Sequence, residues 1–256
     1  MLLVVDVGNT QTHFGAYRGD ELIEQWRFAT VRTSTADELG AALRNLVELR
    51  GVGLADLTSS IVSSTVPQLE PEWVAMAQHY LGHRMLSVGP GIRTGMPIKI
   101  DNPRELGADR LTNAVAAYEQ LGGPCISVDF GTAVNFDVVS SAGEYLGGVL
   151  MPGVEISLDA LTSRGAKLAR IDLVAPRRAL GKGTVEAIRS GVVFGYASAV
   201  DGLLARLQEE LGEEAETIAT GGLAGLVVPH TEGIDHVDEL LTLKGLKLLH
   251  ERNAAG

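Results

Sequence analysis

The chain has 256 residues, which is enough for one large domain or two domains of ordinary size. Its 45% hydrophobic and 21% charged residues are typical of a globular protein with a buried core. The formal net charge of −11 argues against a surface built to bind nucleic acid, because the phosphates would be repelled. The single cysteine, Cys125, permits no intrachain disulfide and is typical of a reducing compartment.

The sequence shows no pattern of a targeting or membrane segment. No basic stretch precedes an apolar core at the amino terminus, and no apolar run approaches ~18 residues. We therefore expect a cytoplasmic protein with no membrane partner. Only Asn253-Ala-Ala-Gly256 is expected to form a loose tail.

The first predicted element is a short apolar run that turns through a glycine, Leu2-Leu-Val-Val-Asp6-Val-Gly8-Asn9-Thr10. Such a run is typical of a buried strand with Asp6 at its end. Gly8 lets the backbone approach a ligand, while Asn9 and Thr10 offer an amide and a hydroxyl to an anion. A carboxylate beside phosphate oxygens suits Mg²⁺, although an isolated Asp-x-Gly is also typical of a tight hairpin turn.

The same pattern recurs half a chain later, at Pro124-Cys-Ile-Ser-Val-Asp129-Phe-Gly131-Thr132. Two copies of a strand-turn unit that face each other across a cleft would clamp the phosphates of a nucleotide. The repeat therefore favours two domains and a nucleotide site.

The other predicted elements give both halves a strand meander followed by helices and further elements. The first half is predicted to contain strands at Thr12–Tyr17 and Leu22–Phe28, a helix capped by Thr35 and Glu38, a strand at Ser60–Ser64, a helix at Pro71–Leu81 and a strand at Met85–Val88. The second half is predicted to contain strands near Ile126–Asp129, Val134–Val139 and Tyr145–Leu150, helical spacing at Glu155–Leu161 and Thr184–Leu211, a strand at Glu216–Thr220 and a helix at Leu240–Leu249.

Gly191 and Gly195 lie four residues apart within the long helical pattern. Each glycine costs up to about 1 kcal/mol against alanine in a helix interior. Close approach of another helix, such as one from a second subunit, would explain both.

Two further segments place polar groups at the ends of predicted elements. The loop from Gly89 to Pro103 leads into Gly107-Ala-Asp109-Arg110 at the start of a predicted helix. At that position Asp109 is typical either of a carboxylate that caps the helix or of a general base, with Arg110 beside it to bind an anion. The segment Thr220-Gly221-Gly222 is typical either of a simple turn or of backbone that lies flat against a purine ring.

With these segments in this order, the sequence resembles the type III pantothenate kinases over essentially the whole chain. The resemblance implies an α/β fold of the acetate and sugar kinase, Hsp70 and actin superfamily. That fold has two duplicated ribonuclease-H-like domains, expected at 1-115 and 116-256, with a nucleotide cleft between them. The resemblance also implies a homodimer and a phosphotransferase that uses ATP to convert pantothenate to 4′-phosphopantothenate, the first step of coenzyme A biosynthesis.

The resemblance implies roles for individual residues of this chain. It implies a first phosphate segment that consists of Asp6, Gly8, Asn9 and Thr10, with Mg²⁺ or another divalent ion at Asp6. It implies a second phosphate segment that consists of Asp129, Gly131 and Thr132, with K⁺ or NH₄⁺ at Asp129. The adenosine segment is matched by Thr220, Gly221 and Gly222. The pantothenate site is matched by Gly107, Asp109, Arg110 and Thr184, and Asp109 is its expected general base.

Three positions depart from the family pattern and bear on affinity and cation preference. They are Asn135 in place of a hydroxyl residue, Ile100 where an aromatic residue is common, and Gly183 in place of a frequent asparagine.

Two alternative functions remain. One is another small-molecule kinase of the same fold, since a fold does not fix a substrate. The other is a transcription accessory factor, which the acidic composition disfavours because DNA binding normally needs a basic face.

Overall fold

The computed structural model describes residues 1–164 and 171–254, which are called the described residues. They divide into two compact units. Unit 1 contains Met1–Pro97, Asp101–Ala116 and the chain from Leu240 onward, and unit 2 contains Ile98–Ile100 and the described part of Ala117–Glu239. Within the described residues, no helix combines the length and the apolar character needed to cross a membrane.

Unit 1 is built on a mixed sheet. Its strands are β1 (Leu2–Val7), β2 (Gln11–Arg18), β3 (Glu21–Ala29), β4 (Ser59–Ser64) and β5 (Leu86–Ser87). They lie in the order β3-β2-β1-β4-β5. The first three strands form the predicted antiparallel meander, and β4 and β5 run parallel to β1. The meander brings β1, which carries Asp6, to the centre of the sheet.

Helices cover this sheet where the sequence predicts them, with one shift. They are α1 (Ala36–Glu48) and α2 (Leu69–Met76), while α3 (Ala108–Leu121) begins in unit 1 and its residues from Ala117 onward are assigned to unit 2. The predicted capping box begins α1, because Thr35 Oγ1 accepts from the Glu38 N–H and the Glu38 carboxylate accepts from the Thr35 N–H. The start of α2 lies two residues before Pro71, since a proline is tolerated anywhere in a first helical turn that needs no N–H.

Unit 2 repeats the architecture of unit 1. Its strands are β6 (Cys125–Phe130), β7 (Ala133–Val139), β8 (Tyr145–Pro152), β9 (Glu216–Thr220) and β10 (His236–Val237). Its helices are α4 (Val154–Arg164), α5 (Thr184–Leu211) and α6 (Ala224–Val227). The order β10-β9-β6-β7-β8 is the order of the first sheet with β6 in the place of β1. The duplication predicted from the two aspartate segments is therefore present in the backbone, and each aspartate lies on a central strand.

One buried residue and one short strand of unit 2 bear on the sequence predictions. Cys125 is fully buried, and burial raises the pKa of its thiol to about 12, so it packs as a small hydrophobic residue. The two-residue strand β10 was not predicted, because two residues carry no detectable alternation.

The last helix, α7 (Leu241–Ala254), differs from expectation in two ways. It belongs to unit 1, where it packs against β1, β2 and β4, whereas the sequence assigned it to the second domain. The expected loose tail from Asn253 is wrong for Asn253 and Ala254, which lie in the helix, and the last two residues lie outside the described residues. The domain boundaries at 1-115 and 116-256 stay a prediction.

Candidate active site

Asp6 lies in the middle of a row of polar side chains on the first sheet. Its direct partners in the strand register are His13 on β2 and Ser63 on β4. Residues that oppose each other directly in a sheet project to the same face, so the three side chains are neighbours. Burial lowers the pKa of His13 to about 4, which keeps its imidazole neutral at pH 7. The row therefore places Asp6 between a neutral imidazole and the Ser63 hydroxyl.

The turn after β1 requires its glycine. The Gly8 N–H donates to the Gln11 carbonyl at 3.0 Å, and a Cβ on Gly8 would lie 2.9 Å from the same oxygen. The tight-turn interpretation is therefore confirmed. It is compatible with phosphate binding, because the turn leaves Asn9 and Thr10 exposed at its tip.

Arg32 supplies a positive charge to this turn and was not among the predicted site residues. Its guanidinium Nη2 donates to the Asn9 side-chain oxygen at 2.9 Å. The Asn9 amide in turn reaches Thr65 Oγ1 at 3.5 Å, and that hydroxyl donates to the Val7 carbonyl at 3.1 Å. The tip of the predicted first phosphate segment is thus held by side chains of Arg32, after β3, and Thr65, after β4.

Asp129 occupies in unit 2 the place of Asp6 in unit 1. Its register partners are Asn135 on β7 and Thr220 on β9. Gly221 follows with φ +94°, and an added Cβ would lie 2.5 Å from Asp129 Oδ1 and 2.6 Å from the Phe130 backbone. The structure therefore brings the predicted second phosphate segment and the predicted adenosine segment into direct contact, and only glycine fits at position 221.

A second close backbone approach fixes Gly131 and Thr132. The Gly131 N–H donates to the Ala133 carbonyl at 3.0 Å, and the Gly153 N–H donates to the Thr132 carbonyl at 3.1 Å. A Cβ on Gly153 would overlap the Thr132 carbonyl. Tyr196 of α5 holds this turn, since its hydroxyl donates to the Gly153 carbonyl at 3.2 Å.

Asp109 lies in the first turn of α3, as predicted. The Gly107 carbonyl accepts the Leu111 N–H at 3.0 Å and begins the helix. Burial raises the pKa of the Asp109 carboxyl, while backbone N–H groups and the Arg110 charge act in the opposite direction. Asp109 thus interacts with free N–H groups as a helix-capping carboxylate does, and it also has the raised pKa that favours a general base.

Comparison with known proteins identifies the family. The family model of type III pantothenate kinase matches residues 2–206. A type III pantothenate kinase from Moorella thermoacetica is 49% identical over 253 residues, which cover 99% of this chain and 100% of that relative. The chain belongs to the type III pantothenate kinase family. The family assignment made from the sequence motifs is therefore confirmed.

Solved structures confirm the fold class of this type III pantothenate kinase family member. Component A of (R)-2-hydroxyglutaryl-CoA dehydratase from Acidaminococcus fermentans matches with a TM-score of 0.57 at 16% identity, over 99% of this chain and 98% of that one. The inorganic polyphosphate/ATP-glucomannokinase from Arthrobacter sp. strain KM matches with a TM-score of 0.51 at 15% identity, over 100% and 99%. At these identities the likeness concerns the fold alone, which is the duplicated ribonuclease-H-like fold of the actin-like ATPases.

The remaining predicted positions lie in unit 2. Thr184 is the exposed first residue of α5 and follows the extended Gly183. Ile100 lies beside β8, where a Cβ added to Gly147 would be 3.7 Å from its Cγ2. The roles of these residues in a pantothenate kinase stay predictions.

Among the described residues, no cluster of three or more His, Cys, Asp or Glu side chains could hold a metal on its own. Asp6, on the central strand just before the glycine turn, is the kind of single carboxylate that fits Mg²⁺, which is usually held by one or two carboxylates together with substrate phosphates and water. At the second site, Asn135 Oδ1 is buried and has no hydrogen-bond partner in the part of the chain that the structure describes. An amide oxygen beside the Asp129 carboxylate is a donor set that fits a hard cation.

Proposed function

We propose that this chain transfers the γ-phosphoryl group of ATP to the primary hydroxyl of pantothenate, giving 4′-phosphopantothenate and ADP, the first step of coenzyme A biosynthesis. The full-length match to the type III pantothenate kinases carries this proposal. The half-buried Asp109 at the start of α3, whose carboxyl pKa is raised by burial, supports it from the structure.

Asp109 is the general base of the proposed reaction. As the hydroxyl oxygen of pantothenate bonds to the γ-phosphorus, the bond from that phosphorus to the ADP oxygen breaks, and the hydroxyl proton passes to Asp109. A carboxyl whose pKa is raised by burial accepts that proton more readily than an exposed aspartate does. Arg110 lies next to it and suits the carboxylate of pantothenate, while Gly107 and Thr184 complete the acceptor contacts.

The ATP contacts come from the glycine turns of both units. Asp6, Gly8, Asn9 and Thr10 bind phosphate oxygens, and Asp6 holds Mg²⁺ or another divalent ion. Gly131 and Thr132 bind phosphate from the second segment, and Thr220, Gly221 and Gly222 bind adenosine. Mg²⁺, when bound, neutralises the charge that develops on the phosphates. The requirement that position 221 be glycine supports a backbone surface against a flat ligand.

Asp129 seats the monovalent cation, K⁺ or NH₄⁺. The buried Asn135 oxygen next to it in the register supports an oxygen-lined cation site. Since the family pattern has a hydroxyl residue at position 135, the asparagine keeps one side-chain oxygen at this place but replaces a hydroxyl with an amide carbonyl. We expect its effect on cation preference and not on the reaction.

The functional unit is a homodimer in the cytoplasm, with no nucleic-acid or membrane partner. Its support is the α5 surface, where a Cβ added to Gly191 or Gly195 would meet nothing within 4 Å apart from the adjacent residues and the local backbone of α5 itself. Glycines that leave such open space within one chain are explained if a second subunit packs there.

A coupled assay of ADP release, with and without pantothenate, tests the function. We expect release that depends on pantothenate and falls when Na⁺ replaces K⁺. Release without pantothenate dependence in K⁺ would refute the proposal. A screen of other small hydroxyl acceptors distinguishes another kinase of this fold, and a gel shift at physiological salt tests the transcription-factor alternative.

A further inference from the structure

Helix α7 is fixed on the sheet of unit 1. It buries an apolar face against β1, β2 and β4 that consists of Leu241, Leu243, Leu246 and Leu249. On another side, Lys247 is only 12% exposed and pairs with Asp20 at 2.8 Å and with Glu251 at 2.7 Å. The leucine face therefore gives the helix a defined place next to β1, the strand that carries Asp6, whereas the acidic partners of Lys247 are exposed.

The last turn of α7 binds the backbone of Arg93, which lies in the segment that precedes Asp109. The Asn253 Oδ1 accepts the Arg93 N–H at 2.9 Å, and the Asn253 Nδ2 donates to the Arg93 carbonyl at 2.9 Å. The same Nδ2 donates to the Leu249 carbonyl at 2.7 Å, which fixes the side chain on its own helix. One amide thus pairs with both backbone groups of Arg93, as a neighbouring strand would.

Arg252 extends this contact by two residues. Its guanidinium donates to the Thr94 carbonyl, and a Cβ on Gly95 would lie 3.2 Å from Arg252 Nη1. Gly95 has φ +69°, so the backbone turns here in a conformation that favours glycine. Thr94 Oγ1 then bonds both backbone groups of Met96, which is buried. The upstream end, Arg93–Met96, is fixed residue by residue.

The first half of α7 contacts the helix that carries Asp109. A Cβ on Gly245 would overlap the Thr112 carbonyl and lie 2.7 Å from Thr112 Cγ2. Thr242 Oγ1 donates to Asn113 Oδ1 at 2.8 Å. Thr112 and Asn113 follow Asp109 by three and four residues, so they lie on the same face of α3. This contact joins α7 to the face of α3 on which Asp109 lies.

We propose that Asn253 and Gly245 are positioning residues for phosphoryl transfer. Through them α7 holds both ends of the segment between Arg93 and Asn113, and so places Asp109 against the acceptor hydroxyl without contacting the substrate. This role rests on the proposed function of Asp109. Because reacting groups that are misplaced by about 1 Å can lose on the order of 10² in rate, a small shift of α3 is enough to be measured.

The test is Asn253→Ala, with steady-state kinetics and hydrogen exchange measured on the full chain. We expect kcat for pantothenate phosphorylation to fall about tenfold or more, while the KM for ATP stays within about twofold. Amide exchange at Arg93–Met96 should become faster, because the bond from the Arg93 N–H is lost. The matched control is Lys247→Gln, which removes another α7 contact and should leave kcat within about twofold.

A second variant, Gly245→Ala, tests the contact with α3 independently. It should lower kcat while leaving the KM for ATP within about twofold, as expected for Asn253→Ala. Unchanged kcat in Asn253→Ala despite faster exchange would overturn the proposal. The proposal would also be overturned if Lys247→Gln lowered both kcat and Tm as much as Asn253→Ala does. The fall in kcat would then reflect a general loss of stability. A wild-type chain with no pantothenate-dependent turnover would instead refute the proposed function, and the assigned role with it.

Discussion

Asp109→Asn should separate the catalytic and structural roles of the carboxyl. The variant keeps the size and the hydrogen-bonding oxygen of the side chain but cannot accept the hydroxyl proton. General base catalysis is worth roughly 10²–10⁴ in rate, so kcat should fall by that factor, equivalent to about 3–5 kcal/mol of transition-state stabilisation. ATP affinity, measured by calorimetry, should change little. The exposed Asp159→Asn on α4 is the control for the same chemical change.

The same variant should be more stable than the wild type at pH 7. Burial raises the pKa of Asp109 in the folded state, so the folded chain holds this proton more tightly than the unfolded chain. The contribution of Asp109 to stability is therefore complete at low pH and is lost as pH rises through the raised pKa. Asparagine carries no charge and avoids the cost of an ionised carboxylate in this buried place at pH 7. The Tm difference between the variant and the wild type should therefore shrink on acidification. Near-normal turnover would refute the base assignment, and a lower Tm at pH 7 would refute the burial argument.

Three further changes test other parts of the site. Gly221→Ala should weaken ATP binding about tenfold or more by calorimetry, because its Cβ would meet Asp129, whereas Gly225→Ala meets nothing within 4 Å and is the control. Arg32→Ala should raise the KM for ATP several-fold with kcat nearly unchanged, and an unaltered KM would contradict its bracing role. Burial lowers the pKa of His13 from 6.5 to about 4, so its contribution to stability is complete above pH 6.5 and is lost toward pH 4. His13→Gln should therefore remove about 1–2 kcal/mol of acid sensitivity in denaturant titrations, allowing for partial exposure.

Local patterns predicted most of the fold, because strands, caps and glycine turns are determined by neighbouring residues. The meander, the Thr35 capping box and the turn at Gly8 required only alternation, a hydroxyl-to-carboxylate spacing and a glycine. The apolar face of α7 showed that the helix is buried but not which sheet buries it. That information lies in contacts between distant parts of the chain, which no local pattern encodes.

The same reason explains which site residues were missed. Arg32 braces Asn9 from a polar loop with no periodicity, and Tyr196 reaches the turn at Gly153 from the middle of a long helix. Each contact joins segments that are far apart in sequence. A lone arginine in a loop and a tyrosine in a helix occur in every globular protein, so neither indicated a site before the structure placed it.

The duplication also explains why the acceptor cannot be inferred from the repeated segments. Each unit places an aspartate on the central strand of its own sheet, so under the proposed function the two copies provide equivalent places for ATP and its cations. The copies differ after their last strand. In unit 1 the chain continues from β5 through Val88–Gly107 before α3 begins, whereas in unit 2 only Asp238–Leu240 separate β10 from α7. The segment that leads to Asp109 is thus present once, and α7, the counterpart of α3 in the second repeat, packs against the start of α3. Acceptor specificity should therefore change with substitutions in this single-copy segment and its α7 contacts, while substitutions in the duplicated turns should change the use of ATP.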